Sequence, residues 1–466
     1  MTAPRVAVIG GGLAGLAAAA ELRRLGAAPV LFERDTAVGG VVRTIRRDGW
    51  VIDTGPAMAA EPAPQVRDLL DAAGLADCTV RAGTAGATRY VVLNGAPVLL
   101  PRTTSELTSS SLLSIAGRLR LLMERLIPAQ HDTTEESVDT FARRRFGGEV
   151  AERMFDPLIA STCAGDPRRI VARYAFPGLV DQSGAGSSLQ RSARARMDAR
   201  RRRKGRPTES WSCRGGMQEL AERLACWIGE VRTGGAIERI RSAPTGIEIT
   251  RAGGGVEQFD AAIVAVPATA FALVAFDLPA ADRLGAVSAM PHASIAAVSL
   301  GFPRHHVAHP LDGSRLLVPS IEQRNILSMV FPTSIFPDRA PADHVLISAF
   351  VGGVFQGDLA SRSDTDLVAL VRQECAELLG VTGDPVISVV TRYPLALPQA
   401  VVGHGERIAA ADAVEAAESR VAFTGAWRDG LAVGEVLLGG ITAVGRLAER
   451  LGWDLLAGGA VARTPR

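Results

Sequence analysis

An α/β fold assembled from both ends of the chain, and interrupted by a sheet-rich domain and a helical insertion, is what the sequence predicts. Three observations carry that expectation. A glycine-rich strand-turn-helix-strand run opens the chain, a second strand running into glycine lies near its other end, and the periodicity between them changes from helical to alternating.

The opening run begins with the apolar segment Arg5 to Ile9, continues through Gly10-Gly11-Gly12-Leu13-Ala14-Gly15 into an alanine-rich helix from Leu16 to Leu25, and ends in Val30-Leu31-Phe32-Glu33. Each residue type has a physical reason. Gly10 permits the tight turn, Gly12 lets backbone approach a pyrophosphate at a helix N-terminus, Gly15 lets helix and strand pack closely, and Glu33 can accept hydrogen bonds from a ribose. Arg34 beside it joins the expected cofactor set. Downstream, Gly39-Gly40 offers a second close backbone approach, and Arg43 is a candidate for a phosphate or a carboxylate. The late segment runs from Val421 to Gly425, and Gly430 to Glu435 then opens another helix. A cofactor long enough to meet both ends fits FAD better than NAD.

Between these ends, Arg89 to Leu93 and Pro97 to Leu100 flank Asn94-Gly95, the turn dipeptide of a tight hairpin. The pattern from Thr104 to Arg203 is mostly helical. Within it, Leu112, Leu113, Ile115, Leu119, Leu122, Met123 and Leu126 recur at helical spacing between Leu107 and Pro128, which favours a core-facing helix over a membrane-surface one. The run from Arg191 to Arg206 reads as a solvated basic loop rather than a lipid contact. Strands return at Ile247–Thr250 and Ala261–Pro267 and dominate from Ile295 to Val351.

Composition excludes several classes. The 466 residues are 47% hydrophobic and 21% charged with a net charge of +2, too balanced for nucleic-acid binding by bulk electrostatics. Lys204 is the only lysine, so arginine supplies nearly all the positive charge. Cys78, Cys163, Cys213, Cys226 and Cys375 form no CxxC pair, which suits free thiols in a reducing compartment, and no metal site is expected. His305, His306 and His309 have no nearby carboxylate partner, Cys163 reads as a buried small residue, and His404 reads as structural rather than as a base. No leader or spanning segment is evident, so a cytoplasmic protein is expected.

Several central motifs occur in order: Gly165-Asp166-Pro167 after Ser161-Thr162-Cys163-Ala164, Gly215 to Leu220, Leu316 to Ser320, Phe336-Pro337-Asp338-Arg339-Ala340-Pro341, Phe350 to Gly353, and Leu397-Pro398-Gln399 before Gly403-His404. Together they make the chain resemble the protoporphyrinogen oxidase family, nearest the mitochondrial plant type, within the amine-oxidase-like flavin superfamily.

The resemblance implies an FAD-binding Rossmann-like domain at residues 1–80, 208–260 and 393–466, an α+β amine-oxidase-like substrate domain at 81–103 and 261–392, and a helical insertion at 104–207 that can rest on a membrane. It implies oxygen-dependent oxidation of protoporphyrinogen IX to protoporphyrin IX, with hydride passing to non-covalent FAD and hydrogen peroxide released. Carried over residue by residue, Val231 would meet adenine through its backbone, and Gly55, Pro56, Gly425, Val433 and Gly434 would border the far half of FAD. Arg89 would hold a substrate carboxylate, Leu317, Val330 and Phe350 would wall the channel, and Ala57 stands where many members carry asparagine. No dedicated catalytic residue is assigned. Beyond porphyrinogen and oxygen, the expected partners are a membrane surface, a second copy of the chain and a downstream ferrochelatase. Coproporphyrinogen III oxidation is the alternative, its extra propionates calling on Arg43, Arg173 and Arg392. An amine or secondary-metabolite oxidase and a non-catalytic FAD-binding porphyrin carrier are the others.

Overall fold

The computed structural model describes residues 3–101, 104–127, 135–184, 210–454 and 462–463. A five-stranded parallel sheet forms its first layer, in the spatial order Val421–Phe423, Ala261–Val264, Arg5–Ile9, Ala28–Phe32, Val231–Arg232. These strands read as unbroken apolar runs because both faces are covered. The helices Leu13–Arg24, Gln218–Ile228 and Val433–Leu451 pack on one face. A four-stranded sheet built from Ile237–Ala243, Gly246–Arg251, Val256–Phe259 and Ala275–Asp277 covers the other, with Ile240, Ile247 and Phe259 against Ile9 and Phe32.

The alanine run explains how two helices share the first one. Ala17 to Ala20 are fully buried and carry nothing beyond Cβ. At the crossing with Val433–Leu451, a Cβ added to Gly440 would stand 2.2 Å from the Ala14 carbonyl oxygen, so the two backbones touch.

A seven-stranded sheet forms the second domain, in the order Ile387–Pro398, His292–Pro303, His344–Gly352, Ser328–Val330, Arg315–Leu317, Arg89–Leu93, Ala96–Leu99. All neighbours are antiparallel except Arg315–Leu317 and Arg89–Leu93, which run parallel. Asn94 and Gly95 make the hairpin turn with φ of 52° and 78°, the left-handed pair that this tight turn requires. One face of the sheet presents Val298, Leu316, Met329 and Ile347 to the helix Asp364–Leu379. Ser363 caps that helix by accepting from the Asp366 N–H at 3.1 Å, and Gly380 ends it at a φ of 61°.

The described part of the insertion contains the helices Thr104–Ser109, Ile115–Leu122, Val138–Phe146, Asp156–Cys163, Ala172–Ala175 and Pro177–Gly184. Phe141, Phe146, Phe155 and Phe176 form a chain of ring contacts at its centre. The basic run Arg191 to Arg206 lies outside the described residues.

Two expectations need correction. The boundary between residues 260 and 261 puts Ala261–Val264 in the substrate domain, whereas that strand pairs in parallel with Arg5–Ile9 and belongs to the first sheet. Likewise the strand Ile387–Pro398 carries residues 393–398 in the second sheet, past the boundary at 392. The stretch from Leu107 to Pro128 is also not one core-facing helix. It breaks at Ser110 to Ser114, where Ser114 caps a new helix by accepting from the Gly117 N–H. Leu107, Leu112, Leu113 and Leu121 are buried, whereas Ile115, Leu119, Leu122, Met123 and Leu126 stand exposed. Ile115 and Leu126 are each 77% exposed.

Candidate functional site

Two helix N-termini define one end of the candidate site. Gly12 precedes the first helix with extended backbone (φ −70°, ψ 175°), no side chain caps the helix, and its first turn holds no acidic residue. The orphan N–H groups of that turn therefore face outward unpaired by a cap. A Cβ built on Gly12 would meet nothing within 4 Å, as would one on Gly434 at the start of Val433–Leu451. Both glycines border open space.

Gly10 and Gly15 serve the fold instead. A Cβ on Gly15 would lie 1.9 Å from the Gly10 carbonyl oxygen, and one on Gly10 would lie 2.6 Å from that of Ala265. Glu33 sits at the end of the second strand, its carboxylate accepting from the Gly11 N–H at 2.6 Å and the Asp35 N–H at 2.9 Å. Each oxygen keeps a lone pair for a further donor. Val231 lies on the open edge of the parallel sheet. Glu230 and Arg232 supply the carbonyls that bond Leu31 and Glu33, so Val231 turns its own N–H and C=O outward.

The arginines near this end are placed differently from each other. Arg43 donates to the carbonyls of Val38 and Ala37 and thereby braces the loop that carries Gly39 and Gly40. Arg34 is exposed beside Asp35. Gly39 packs on Gln218–Ile228 and donates to the Gly11 carbonyl, while Gly40 approaches the Gly12 Cα. Gly55 is pressed against the Val41 carbonyl, and Tyr393 of the second sheet reaches across to Thr54 at 2.8 Å. Pro56 and Ala57 follow half-buried, and Gly425 (φ 139°) begins the turn before Gly430.

The second sheet supplies the other side. Side chains alternate across a strand, so pairing register sorts them into rows. One row on the face away from Asp364–Leu379 reads Arg89, Arg315, Val330, Ser348, Ser299; the next reads Val91, Leu317, Ser328, Phe350, Ala297. The structure thus brings Arg89, Leu317, Val330 and Phe350 to one face, from four strands. Val91 and Leu317 lie against Leu112, Met154 and Leu158 of the insertion. Val330 and half-buried Phe350 lie against Met58, next to Ala57, and against Val80 and Ala82, where the strand Thr79–Arg81 pairs with Trp211–Cys213 of the first domain and so runs past the expected boundary at 80. An apolar face between insertion and first domain, with arginine at one edge, is the result.

Sequence reasoning missed Arg315. No motif marks it, but it stands two residues before Leu317 on the same strand, and alternation alone puts the two on one face.

Other candidates lie elsewhere. His404 is buried at the first turn of His404–Ala417, edge-on to Tyr174, and burial with the nearby Arg407 charge pushes its pKa down to about 4. His309 accepts from the Leu311 N–H through Nδ1 and packs on Tyr90. Burial raises the Cys163 thiol to about 12, and its Sγ lies 3.4 Å from the Ile159 carbonyl oxygen. Arg392 donates to the Arg362 carbonyl and pairs with Asp364, pointing to the opposite face of the sheet from Phe350. Near it opens a cavity of about 720 Å³ bordered by Asp166, Arg169, His292 and Gln399, away from both rows.

The central motifs act as clamps. Arg339 is buried and reaches the carbonyls of Arg214 and Cys213, the Ser212 hydroxyl and, at 3.5 Å, the Asp53 carboxylate. Gln399 donates to the Cys163 carbonyl, and a Cβ on Gly165 would stand 2.5 Å from its Oε1. The one clamp ties the second sheet to the first domain, the other ties it to the insertion.

Residues 13–448 match the family described as flavin-containing amine oxidoreductase. The chain is 30% identical to the mitochondrial protoporphyrinogen oxidase of Nicotiana tabacum, over 95% of this chain and 94% of that protein. It is 27% identical to the coproporphyrinogen III oxidase of Bacillus subtilis, over 94% and 97% respectively. The structure of cyclohexylamine oxidase from Brevibacterium oxydans superposes with a TM-score of 0.69 at 16% identity, covering 96% of this chain and 99% of that one.

Proposed function

The chain belongs to the flavin-containing amine oxidoreductase family, and from that premise we propose that it binds FAD without a covalent link and oxidises protoporphyrinogen IX to protoporphyrin IX. The observation that carries the reading is the apolar face of Leu317, Val330 and Phe350 edged by Arg89, opposite the first domain's loops. A porphyrinogen is apolar over most of its area and carries carboxylates at one edge, so burial would supply affinity and the arginine orientation.

Gly12 and Gly434 leave room at two helix N-termini, a fit for the long anionic body of FAD, with Glu33 for the ribose and the Val231 backbone for adenine. Bound FAD would supply the redox chemistry, hydride acceptance from the substrate and electron return to molecular oxygen as hydrogen peroxide, with three such two-electron rounds per porphyrin. The chain's own residues bind, orient and exclude water. Insertion side chains Leu112, Met154 and Leu158 close one side of the channel, and the Met58 loop closes the other. Both paired rows hold arginine, serine, threonine and apolar residues and no histidine or carboxylate, so positioning rather than acid–base chemistry is the protein's contribution.

Protoporphyrinogen is favoured over coproporphyrinogen by where the other cations go. Arg43 braces its own loop, Arg173 is exposed on the insertion helix Ala172–Ala175, and Arg392 is paired on the opposite face of the sheet. The free porphyrin produced is the kind of substrate a ferrochelatase consumes. Exposed Ile115, Leu119, Leu122, Met123 and Leu126 form a stripe suited to a peripheral membrane contact, and no helix among the described residues is long and apolar enough to cross a membrane.

The test is aerobic turnover of protoporphyrinogen IX and coproporphyrinogen III side by side, following porphyrin fluorescence and peroxide. Yellow protein with faster protoporphyrinogen turnover is expected. Protein that stays colourless after FAD addition, or that releases no peroxide with either substrate, would overturn the reading. Co-sedimentation with anionic vesicles, lost on Leu119→Asp, tests the membrane contact.

A further inference from the structure

Arg89 is not alone at its edge of the face. Arg315 is its register neighbour on the adjoining parallel strand, so the two side chains start about 5 Å apart and on the same side of the sheet. Like charges so placed repel, and nothing in the described residues relieves them: neither guanidinium has a hydrogen bond or an ion pair with any described side chain. By contrast, buried Arg339 pairs with Asp53, buried Arg145 with Glu124, and half-buried Arg324 with Glu374. Burial, then the Arg89 charge, push Arg315 down to about 10, so it remains a cation at neutral pH.

Arg89 is exposed and Arg315 half-buried, so water solvates the pair until a ligand covers it, and a ligand that does so must bring anions to match both charges. Arg315 also stands between Arg89 and Val330 in the row, and Leu317 follows it two residues along, so its head group borders the apolar face directly. Resting on the porphyrinogen reading, we propose that Arg89 and Arg315 form a two-carboxylate clamp, each holding one of two propionates carried on neighbouring rings at one edge of the macrocycle. The substrate class is then a flat apolar body with a paired-acid edge. A single acid would leave one guanidinium unmatched.

The holoprotein is titrated with protoporphyrin IX, its monomethyl ester and its dimethyl ester, reading porphyrin fluorescence, with the flavin spectrum as the check on folding. In the wild type each esterification should weaken binding about tenfold or more. Arg315→Gln should weaken the diacid by about the same factor and erase the difference between diacid and monoester. Arg315→Lys keeps the charge without the planar fork and should restore part of the loss.

Equal wild-type affinity for diacid and monoester, or an Arg315→Gln protein that keeps the full ester series, would overturn the clamp while leaving the porphyrin reading standing. Absence of binding to all three porphyrins, together with no porphyrinogen turnover, would remove that reading and the clamp with it. The wild-type series decides the matter even if Arg315→Gln fails to fold.

Discussion

Gly12→Ala and Gly15→Ala differ by three positions in sequence and should fail in opposite ways. At Gly12 the backbone is already at φ −70°, so alanine adopts it without strain, and its Cβ would enter space with no atom within 4 Å. The apoprotein should lose only the glycine preference of an N-cap, about 0.5–1 kcal/mol. That empty space is where a pyrophosphate would approach the backbone, and a methyl group there should act as overpacking worth about 1–3 kcal/mol of flavin affinity, roughly 5- to 150-fold. At Gly15 the new Cβ would stand 1.9 Å from the Gly10 oxygen, and Gly10 cannot retreat because its own Cα faces the Ala265 carbonyl. Both atoms are backbone, so the clash is relieved only by moving helix and strand apart, and a loss above about 3 kcal/mol is expected. Urea unfolding of the apoproteins and flavin fluorescence quenching separate the two losses. A Gly12→Ala protein that binds flavin at wild-type affinity, or that unfolds as readily as Gly15→Ala, would refute the reasoning.

Phe350→Ala should weaken binding of porphyrin by about 1–3 kcal/mol with flavin content unchanged, measured by titration, because half-buried Phe350 lies on the apolar face of the second sheet and not among the glycine turns of the first domain. Arg339→Ala should cost about 3–5 kcal/mol in urea unfolding, since it leaves the buried Asp53 carboxylate without its cation. His404 has a folded pKa of about 4 against an ordinary 6.5, so the unfolded chain binds the proton more readily between those values. Stability from this group is therefore present above pH 6.5 and falls by up to about 3 kcal/mol as pH drops to 4, and His404→Gln should flatten that part of the stability profile.

The glycine-rich end of the candidate site was legible as local structure because its residues are close in sequence. Gly10, Gly12, Gly15 and Glu33 fall within one strand-helix-strand unit, and each spacing has a steric or hydrogen-bonding reason visible without a partner. The grouping of Arg89, Leu317, Val330 and Phe350 on one sheet face was suggested only by resemblance, since they come from four strands whose register no short motif encodes. Arg315 stayed hidden for that reason.

Ala261–Val264 was assigned to the wrong sheet because an apolar run buried on both faces has no alternation to reveal its neighbours. The stripe from Ile115 to Leu126 shows a third kind of failure. Periodicity finds an apolar face but does not say whether anything covers it, and here nothing among the described residues does. Arg339 is the reverse case, a motif residue given no role from sequence that proves to be a buried tie between domains.

The order in which the parallel sheet is completed has a consequence for biogenesis. Ala261–Val264 can pair one edge with Arg5–Ile9 once it is made, but its other edge waits for Val421–Phe423, about 160 residues later in the chain. At about 5–20 residues per second that is roughly ten to thirty seconds, during which an apolar strand edge stays open and Val433–Leu451, the helix that touches Ala14, does not yet exist. A flavin site that uses the N-terminus of Val433–Leu451, as proposed above, can be completed only on the finished chain. Pauses, truncations or degradation signals acting between residues 264 and 421 would leave a cofactor-free intermediate with an unpaired edge, the species on which chaperones and proteases act.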